Sequence, residues 1–169
     1  EYSTFGSVLK PHNTVRFLLD TKLFLELIKK RKLTNETNFT FKYISNKEID
    51  DFFYFFGGGL TGLKGYTFYD SRLTNSNSII ISNYFRIPLF LEKNYKFLHM
   101  YFQNFTFGLV SQKGRFFYDK WNEYNSNGFE FRLKGYSFFA YPFAINYELY
   151  WAEGLNTSPK HYFKLLFDF

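Results

Sequence analysis

The chain has 169 residues, a net charge of +6 and no cysteine. The missing thiols exclude a disulfide scaffold, a thiolate metal site and a cysteine nucleophile. Aromatic residues make up 25% of the chain, with 26 Phe and 15 Tyr, and 21% of residues are charged, a composition that excludes intrinsic disorder.

Alternation runs along most of the chain. From Thr14 to Ile28 the odd positions Val15, Phe17, Leu19, Thr21, Leu23, Leu25 and Leu27 are opposed by Arg16, Asp20, Lys22 and Glu26, so all four charges share one strand face. A helix could also gather Phe17, Thr21, Phe24 and Ile28, but the strict parity of the charges favours a strand over about 14–28. A polar turn from Lys29 to Asn35 follows, then a strand over about 38–46, in which Phe39, Phe41 and Tyr43 alternate with Thr40 and Lys42. Residues 47–77 form a long loop that includes DFFYFFGGGLTGLKGYTFY, which is too rich in glycine for an ordinary strand.

Strand patterns then resume over about 78–89, 103–112, 127–137, 142–153 and 161–169. Pro88 fits a strand end or an edge. SRLTNSNS, DKWNEYNSN and GLNTSP read as polar connections. The expectation is an all-β antiparallel meander of about seven strands, in one unit spanning 1–169.

The apolar faces carry large aromatic and branched side chains and almost no charge. The opposite faces mix Gly, Ser, Thr, Asn and Tyr with opposed charges such as Glu130 and Arg132. Two solvents fit this pattern. In a soluble barrel or sandwich that binds an apolar ligand, the greasy face is inside; in a membrane barrel it faces lipid. Rows of Phe, Tyr and Trp on every strand would overfill a small soluble barrel. A Lys or Arg facing the bilayer centre costs roughly 2–4 kcal/mol, and the strand charges avoid the apolar face. Both points favour the membrane. No 18-residue run is uniformly apolar, so no transmembrane helix is expected, whereas membrane strands need only about 9–11 residues each.

From Asp51 onward the chain resembles the C-terminal barrel region of the BamA/surface-antigen superfamily of bacterial outer-membrane proteins, in the version attached to TolB-like propeller proteins. The resemblance rests on order and spacing. Gly57-Gly58-Gly59-Leu60 leads into Leu63-Lys64-Gly65-Tyr66; Phe85-Arg86-Ile87-Pro88-Leu89, Val110-Ser111-Gln112-Lys113-Gly114 and Gly128-Phe129-Glu130-Phe131-Arg132 follow; the end carries Phe163, Phe167 and Phe169, similar to a terminal barrel signal. It implies that the Gly-rich loop folds into the lumen and that Lys64 lies near Gln112 and Glu130, with Arg86 and Arg132 as further lumenal partners. Lys64 replaces an Arg of the family pattern and loses its bidentate fork. Gln112 replaces an Asp, and Lys164 stands where the terminal signal has Gly. These departures weaken the expectation of active insertion or secretion more than that of a barrel.

The resemblance implies an outer-membrane segment that anchors, or assembles and translocates polypeptide, without catalysis. The implied partners are outer-membrane lipid and the barrel-assembly machinery. Seven strands are too few for a family barrel, and open edges in lipid leave costly unpaired backbone groups. We therefore expect missing N-terminal strands or another chain to close it. The chain starts at Glu1 rather than Met, which reads as processing or as a piece of something longer.

No cofactor or metal is expected. Gly57-x-Gly59-x-x-Gly62 matches a dinucleotide fingerprint formally but lacks a following helix. His12, His99 and His161 have no metal-ligand spacing. No Ser/His/Asp set is recognisable, and Glu130–Arg132 reads as a structural pair rather than a catalytic one. The run Lys29-Lys30-Arg31-Lys32 reads as a solvated turn at a membrane rim rather than a nucleic-acid site. Trp121, Tyr124, Tyr141 and Trp151 fall near expected strand ends, where aromatic girdles form.

Overall fold

The computed structural model describes residues 2–6, 11–28, 32–45, 54–93, 95–137, 141–154 and 158–167. The strands are β1 (Tyr2–Gly6), β2 (Pro11–Ile28), β3 (Leu33–Ile44), β4 (Phe55–Phe56), β5 (Thr74–Asn75), β6 (Asn77–Phe90), β7 (Tyr95–Phe97), β8 (Met100–Phe117), β9 (Trp121–Ser137), β10 (Pro142–Ala152) and β11 (Lys160–Phe167). The main sheet runs β1-β2-β3-β6-β8-β9-β10-β11, antiparallel throughout and open, with β7 paired to the start of β8. The short pair β4–β5 forms a separate ribbon.

Several boundaries differ from the sequence reading. The main path has eight strands rather than about seven. The strand expected over 38–46 runs from Leu33 to Ile44; its first part, Thr34–Asn38, is wholly polar and shows no alternation, and it is strand because it pairs with Ser82–Arg86 of β6. The strand expected over 103–112 runs from 100 to 117, and β9 starts at Trp121, inside the stretch read as a polar connection. Polar residues there belong to a hairpin that extends beyond the apolar part of the sheet, so composition alone mistook strand for loop. The loop expected over 47–77 contains β4, a 3-10 turn at Ser71–Leu73, β5 and the first residue of β6. Residues 46–53, and the last two of the strand expected over 161–169, lie outside the described residues.

Register keeps one parity across the sheet. Thr34, Arg86, Gly108, Glu130, Glu148 and Tyr162 stand opposite one another in turn across β3, β6, β8, β9, β10 and β11. Beside them runs the row Ile87, Phe107, Phe131, Tyr147 and Phe163. The first row is even-numbered and the second odd-numbered, as a period of two requires.

Burial is inverted with respect to a soluble sheet. Glu130 and Glu148 are each 1% exposed, and Arg86, Glu36, Gln112 and Asn146 are also buried. Phe129, Phe131 and Tyr147 are each 37% exposed and Phe163 67%. The outward rings pack on one another: Phe107 lies 5.2 Å from Phe131, and Phe129 meets Trp151 edge-on at 5.5 Å. On β2, the even-numbered Leu18 and Phe24 are also exposed, because little covers that side of the open sheet.

Two bulges break the parity near the end of the sheet where β6 finishes. They fall between Pro88 and Phe90 on β6 and between Phe102 and Asn104 on β8. Each adds a residue to one strand. The even-numbered Phe90 and Phe102 thereby join the odd-numbered Phe105 and Leu133 around one apolar groove.

Candidate functional site: a glycine-rich loop seated on a buried charge network

The loop from Phe55 to Leu73 is pinched shut at its base. Phe55 and Phe56 pair with Asn75 and Thr74, Gly57 N–H donates to the Leu73 carbonyl at 3.0 Å, and Leu63 N–H donates to the Gly57 carbonyl at 2.6 Å. A Cβ at Gly62 would stand 2.1 Å from the Gly57 carbonyl oxygen, so only glycine permits this crossing. At the far side, Asp70 caps the 3-10 turn by accepting from Arg72 N–H, and its carboxylate also binds the Arg72 guanidinium. Those bonds to Arg72 hold the Asp70 carboxyl below its ordinary 3.8.

The loop is anchored by its apolar residues. Leu63, Tyr66 and Leu73 are buried together with Ile80 of β6 and Phe116 of β8, and Tyr124 and Ala152 pack alongside. The Tyr66 hydroxyl lies 3.1 Å from the carbonyls of both Asn125 and Glu153, which share its single proton; burial raises its pKa. Glycines on the wall make room. A Cβ at Gly114 would stand 2.5 Å from the Phe116 ring and 3.6 Å from Leu63 Cδ2, and one at Gly128 would stand 2.7 Å from the Tyr150 ring.

Lys64 sits between these anchors and is buried. Its backbone N–H donates to Gln112 Oε1 at 2.9 Å. Gln112 Nε2 donates in turn to Ser82 Oγ at 2.8 Å, and Ser126 Oγ donates to Gln112 Oε1 at 3.3 Å. The Lys64 ammonium pairs with Glu148 and donates to the Tyr150 hydroxyl at 3.3 Å. It also lies 5.0 Å from the Tyr150 ring centroid and 5.6 Å from that of Tyr84, within cation–π range. Gly65, at φ +93°, turns the chain so that its N–H donates to the Tyr162 hydroxyl at 3.1 Å. Burial draws the Lys64 pKa below 10.5, and the charge of Glu148 opposes that shift without cancelling it.

A second cation continues the network. Arg86 binds Glu130 through Nε at 2.6 Å and pairs with Glu36 through its other arm. Arg132 reaches Glu130 at 3.3 Å, and Lys164 reaches Glu148 at 3.0 Å. Asn146 Nδ2 donates to both carboxylates, at 3.0 Å to Glu130 and 2.8 Å to Glu148. Four cations (Lys64, Arg86, Arg132, Lys164) thus meet three carboxylates (Glu36, Glu130, Glu148). A polar cavity of about 360 Å³ adjoins the loop, with Asp20, Lys22, Thr61, Lys64, Gln112 and Lys164 in its lining. The arrangement fixes a loop against a wall and lines a polar space.

Of the residues singled out in the sequence, Gly57, Gly58, Gly59, Leu63, Lys64, Gly65 and Tyr66 are all buried in the seated loop. Gln112 meets Lys64 through the lysine backbone. Glu130, however, does not hold the Lys64 ammonium, which goes to Glu148; Glu130 belongs to Arg86 and Arg132. Glu148, Tyr150, Tyr162, Asn146 and Glu36, none of them singled out, complete the network with Lys164, which the sequence marked only as a departure from the terminal signal. Their signal is parity, since the five beyond β3 share even-numbered polar positions on β10 and β11, but only register shows which of them meet. Tyr124 points inward, 5.9 Å from Tyr66, rather than joining an outer girdle; Trp121, Tyr141 and Trp151 are exposed. Phe163 is on the outward face. Phe169, the Phe167 side chain and Lys29–Arg31 lie outside the described residues. Among the described residues, no cluster of His, Asp or Glu could hold a metal ion, and no helix is long and apolar enough to cross a membrane.

Comparison with protein-family models, with curated proteins and with solved structures finds no match to this chain.

Proposed function

We propose that the chain is a wall segment of a transmembrane β-barrel in a bacterial outer membrane, of BamA/surface-antigen type, which anchors the protein or assists polypeptide assembly and translocation without catalysis. The observation that carries the reading is the inverted sheet: charged side chains buried beneath a loop on one face, and a continuous layer of aromatic rings exposed on the other. An exposed apolar layer of this extent in water is an aggregation surface; in hydrocarbon it is matched to its solvent. Strands of 17 and 18 residues in β9 and β8 exceed the roughly 5–6 residues usual in soluble sheets. They leave length to span a bilayer and project beyond it, where Lys113 and Arg115 pair with Glu123. The order of the motifs from Gly57 to Arg132 supports the family assignment. Closure of the open sheet falls to further strands or another chain, since free edges are costly in lipid.

The test is fractionation of cells making the full gene product, with alkaline carbonate extraction of the membranes. We expect the protein in the extracted membrane pellet. A monodisperse, detergent-free soluble protein would overturn the reading.

A further inference from the structure

The face of the sheet that carries the loop holds a second hollow, whose lining contains no residue of the loop. Asn104, Lys134, Ala144 and Leu166 stand opposite one another in turn across β8, β9, β10 and β11. Arg132 shares that face of β9, two residues from Lys134. Together with Pro142 these residues line a pocket of about 390 Å³. Ala144 makes the space, because its methyl group stands between the longer side chains of Lys134 and Leu166. No carboxylate lines the pocket among the described residues. Asn104 Oδ1 accepts from Glu92 N–H at 3.0 Å, so the Asn104 amide has its two N–H donors left to offer.

The charge here is unbalanced for a local reason. The buried network sets four cations against three carboxylates, and its longest ion pair is that of Arg132, which reaches Glu130 at 3.3 Å with a side chain 30% exposed. The network's surplus positive charge therefore falls to a residue that lines the pocket. Lys134 adds a second, since it is exposed and has no carboxylate partner among the described residues. Lys96 stands one row further out on the same face, its ammonium 5.9 Å from the Tyr101 ring centroid. Neighbouring cations on one face repel, and an anion held between them removes that repulsion.

We infer that this pocket binds a small amphipathic carboxylate, with its oxygens between Arg132 and Lys134 and its alkyl body over Ala144 and Leu166. The volume falls within the range of about 300–1,000 Å³ usual for small-molecule sites, which join apolar walls to a few placed polar groups. The guanidinium matches the planar carboxylate. The apolar wall favours a ligand with a chain over a bare anion, and the two cations reject a cationic amphiphile. The inference stands on the pocket itself and does not depend on the membrane reading.

The full chain, folded in maltoside detergent or in buffer, whichever keeps it monodisperse, is titrated with octanoate, octanamide and acetate by isothermal titration calorimetry against protein-free blanks. We expect octanoate to bind about tenfold more tightly than either of the others. One hydrogen bond to a charged group, or two buried methylene groups, is enough for that factor. Lys134→Gln should weaken octanoate binding about tenfold, and Ala144→Leu, which fills the hollow, should abolish it. Lys120→Gln, in the turn at the other end of β8 and β9, should leave it unchanged. Asp168 follows Leu166 by two residues and lies outside the described residues; Asp168→Asn should also leave octanoate binding unchanged. Absence of octanoate binding, equal binding of octanamide or acetate, or an octanoate affinity that survives both Lys134→Gln and Ala144→Leu overturns the site. A clear gain in affinity in Asp168→Asn would make the chain's own carboxylate the occupant and overturn the external ligand.

Discussion

Glu130 and Glu148 stand directly opposite each other on β9 and β10, on the same face, and both are buried. Like charges in register destabilise a strand pair. Here each carboxylate has its own pair of cations, Arg86 and Arg132 for Glu130 and Lys64 and Lys164 for Glu148, and the Asn146 amide donates to both. One of the four cations, Lys64, comes from the loop. The repulsion between two neighbouring strands is therefore relieved in part by a segment distant in sequence, which couples loop seating to the integrity of the wall.

Glu148→Gln should accordingly destabilise the folded protein by about 3–5 kcal/mol, the usual cost of removing one partner of a buried ion pair. Much of that cost is the ammonium left behind, so adding Lys64→Met should recover a large part of it. Urea unfolding of the single and double variants in the same detergent measures both. Equal loss in the two variants would mean that Lys64 is not coupled to Glu148.

Phe131→Arg separates the two possible solvents of the outer face. At a lipid-facing position near the bilayer centre it should cost about 2–4 kcal/mol and lower the inserted fraction, while Phe131→Leu should be nearly neutral. On a water-exposed face the same arginine would be harmless. Flotation of both variants with phosphatidylcholine vesicles reads the difference.

Gly65→Ala tests the turn that delivers Lys64. The residue lies at φ +93°, and its added Cβ would stand 3.0 Å from Ala152 N. Gly154→Ala shares the positive φ, at +75°, but has open space around it. Backbone strain of about 1–3 kcal/mol applies to both; the additional clash applies to Gly65 only. Protease cleavage within residues 57–70 should rise clearly for Gly65→Ala and little for Gly154→Ala.

Acid should loosen the Asp70–Leu73 turn. The Asp70 pKa is lowered in the fold, so its contribution is complete above the unfolded value of 3.8 and is lost as pH falls through the lower folded value. The pair with Arg72 is partly exposed, so the effect should be about 1 kcal/mol or less. Proteolysis of the loop by an acid-active protease should increase below about pH 4 in the native chain and be pH-independent there in Asp70→Asn.

Much of the sheet was legible because a period of two leaves its mark residue by residue. Phe129, Glu130, Phe131 and Arg132 announce a strand and its two faces without help from the rest of the chain. The polar stretch at Trp121–Asn127 did not, because its outward positions lie beyond the apolar layer and lose the contrast that alternation needs. The loop was legible as a loop from its glycines, and Leu63 and Tyr66 as its anchors only once the Ile80–Phe116 cluster was seen. The assignment of Lys64 to Glu148 could not be read from spacing. It depends on the stagger of β10 against β9 and on where Gly65 turns the chain, which are properties of register.

Gly114 and Gly128 have a consequence for how the loop sits. With no side chain at these positions, the Phe116 ring comes closer to Gly114, and the Tyr150 ring closer to Gly128, than an added Cβ would permit, and Leu63 settles beside Phe116 over Gly114. The loop therefore gains its seat from atoms left out of the sheet and not from extra length of its own.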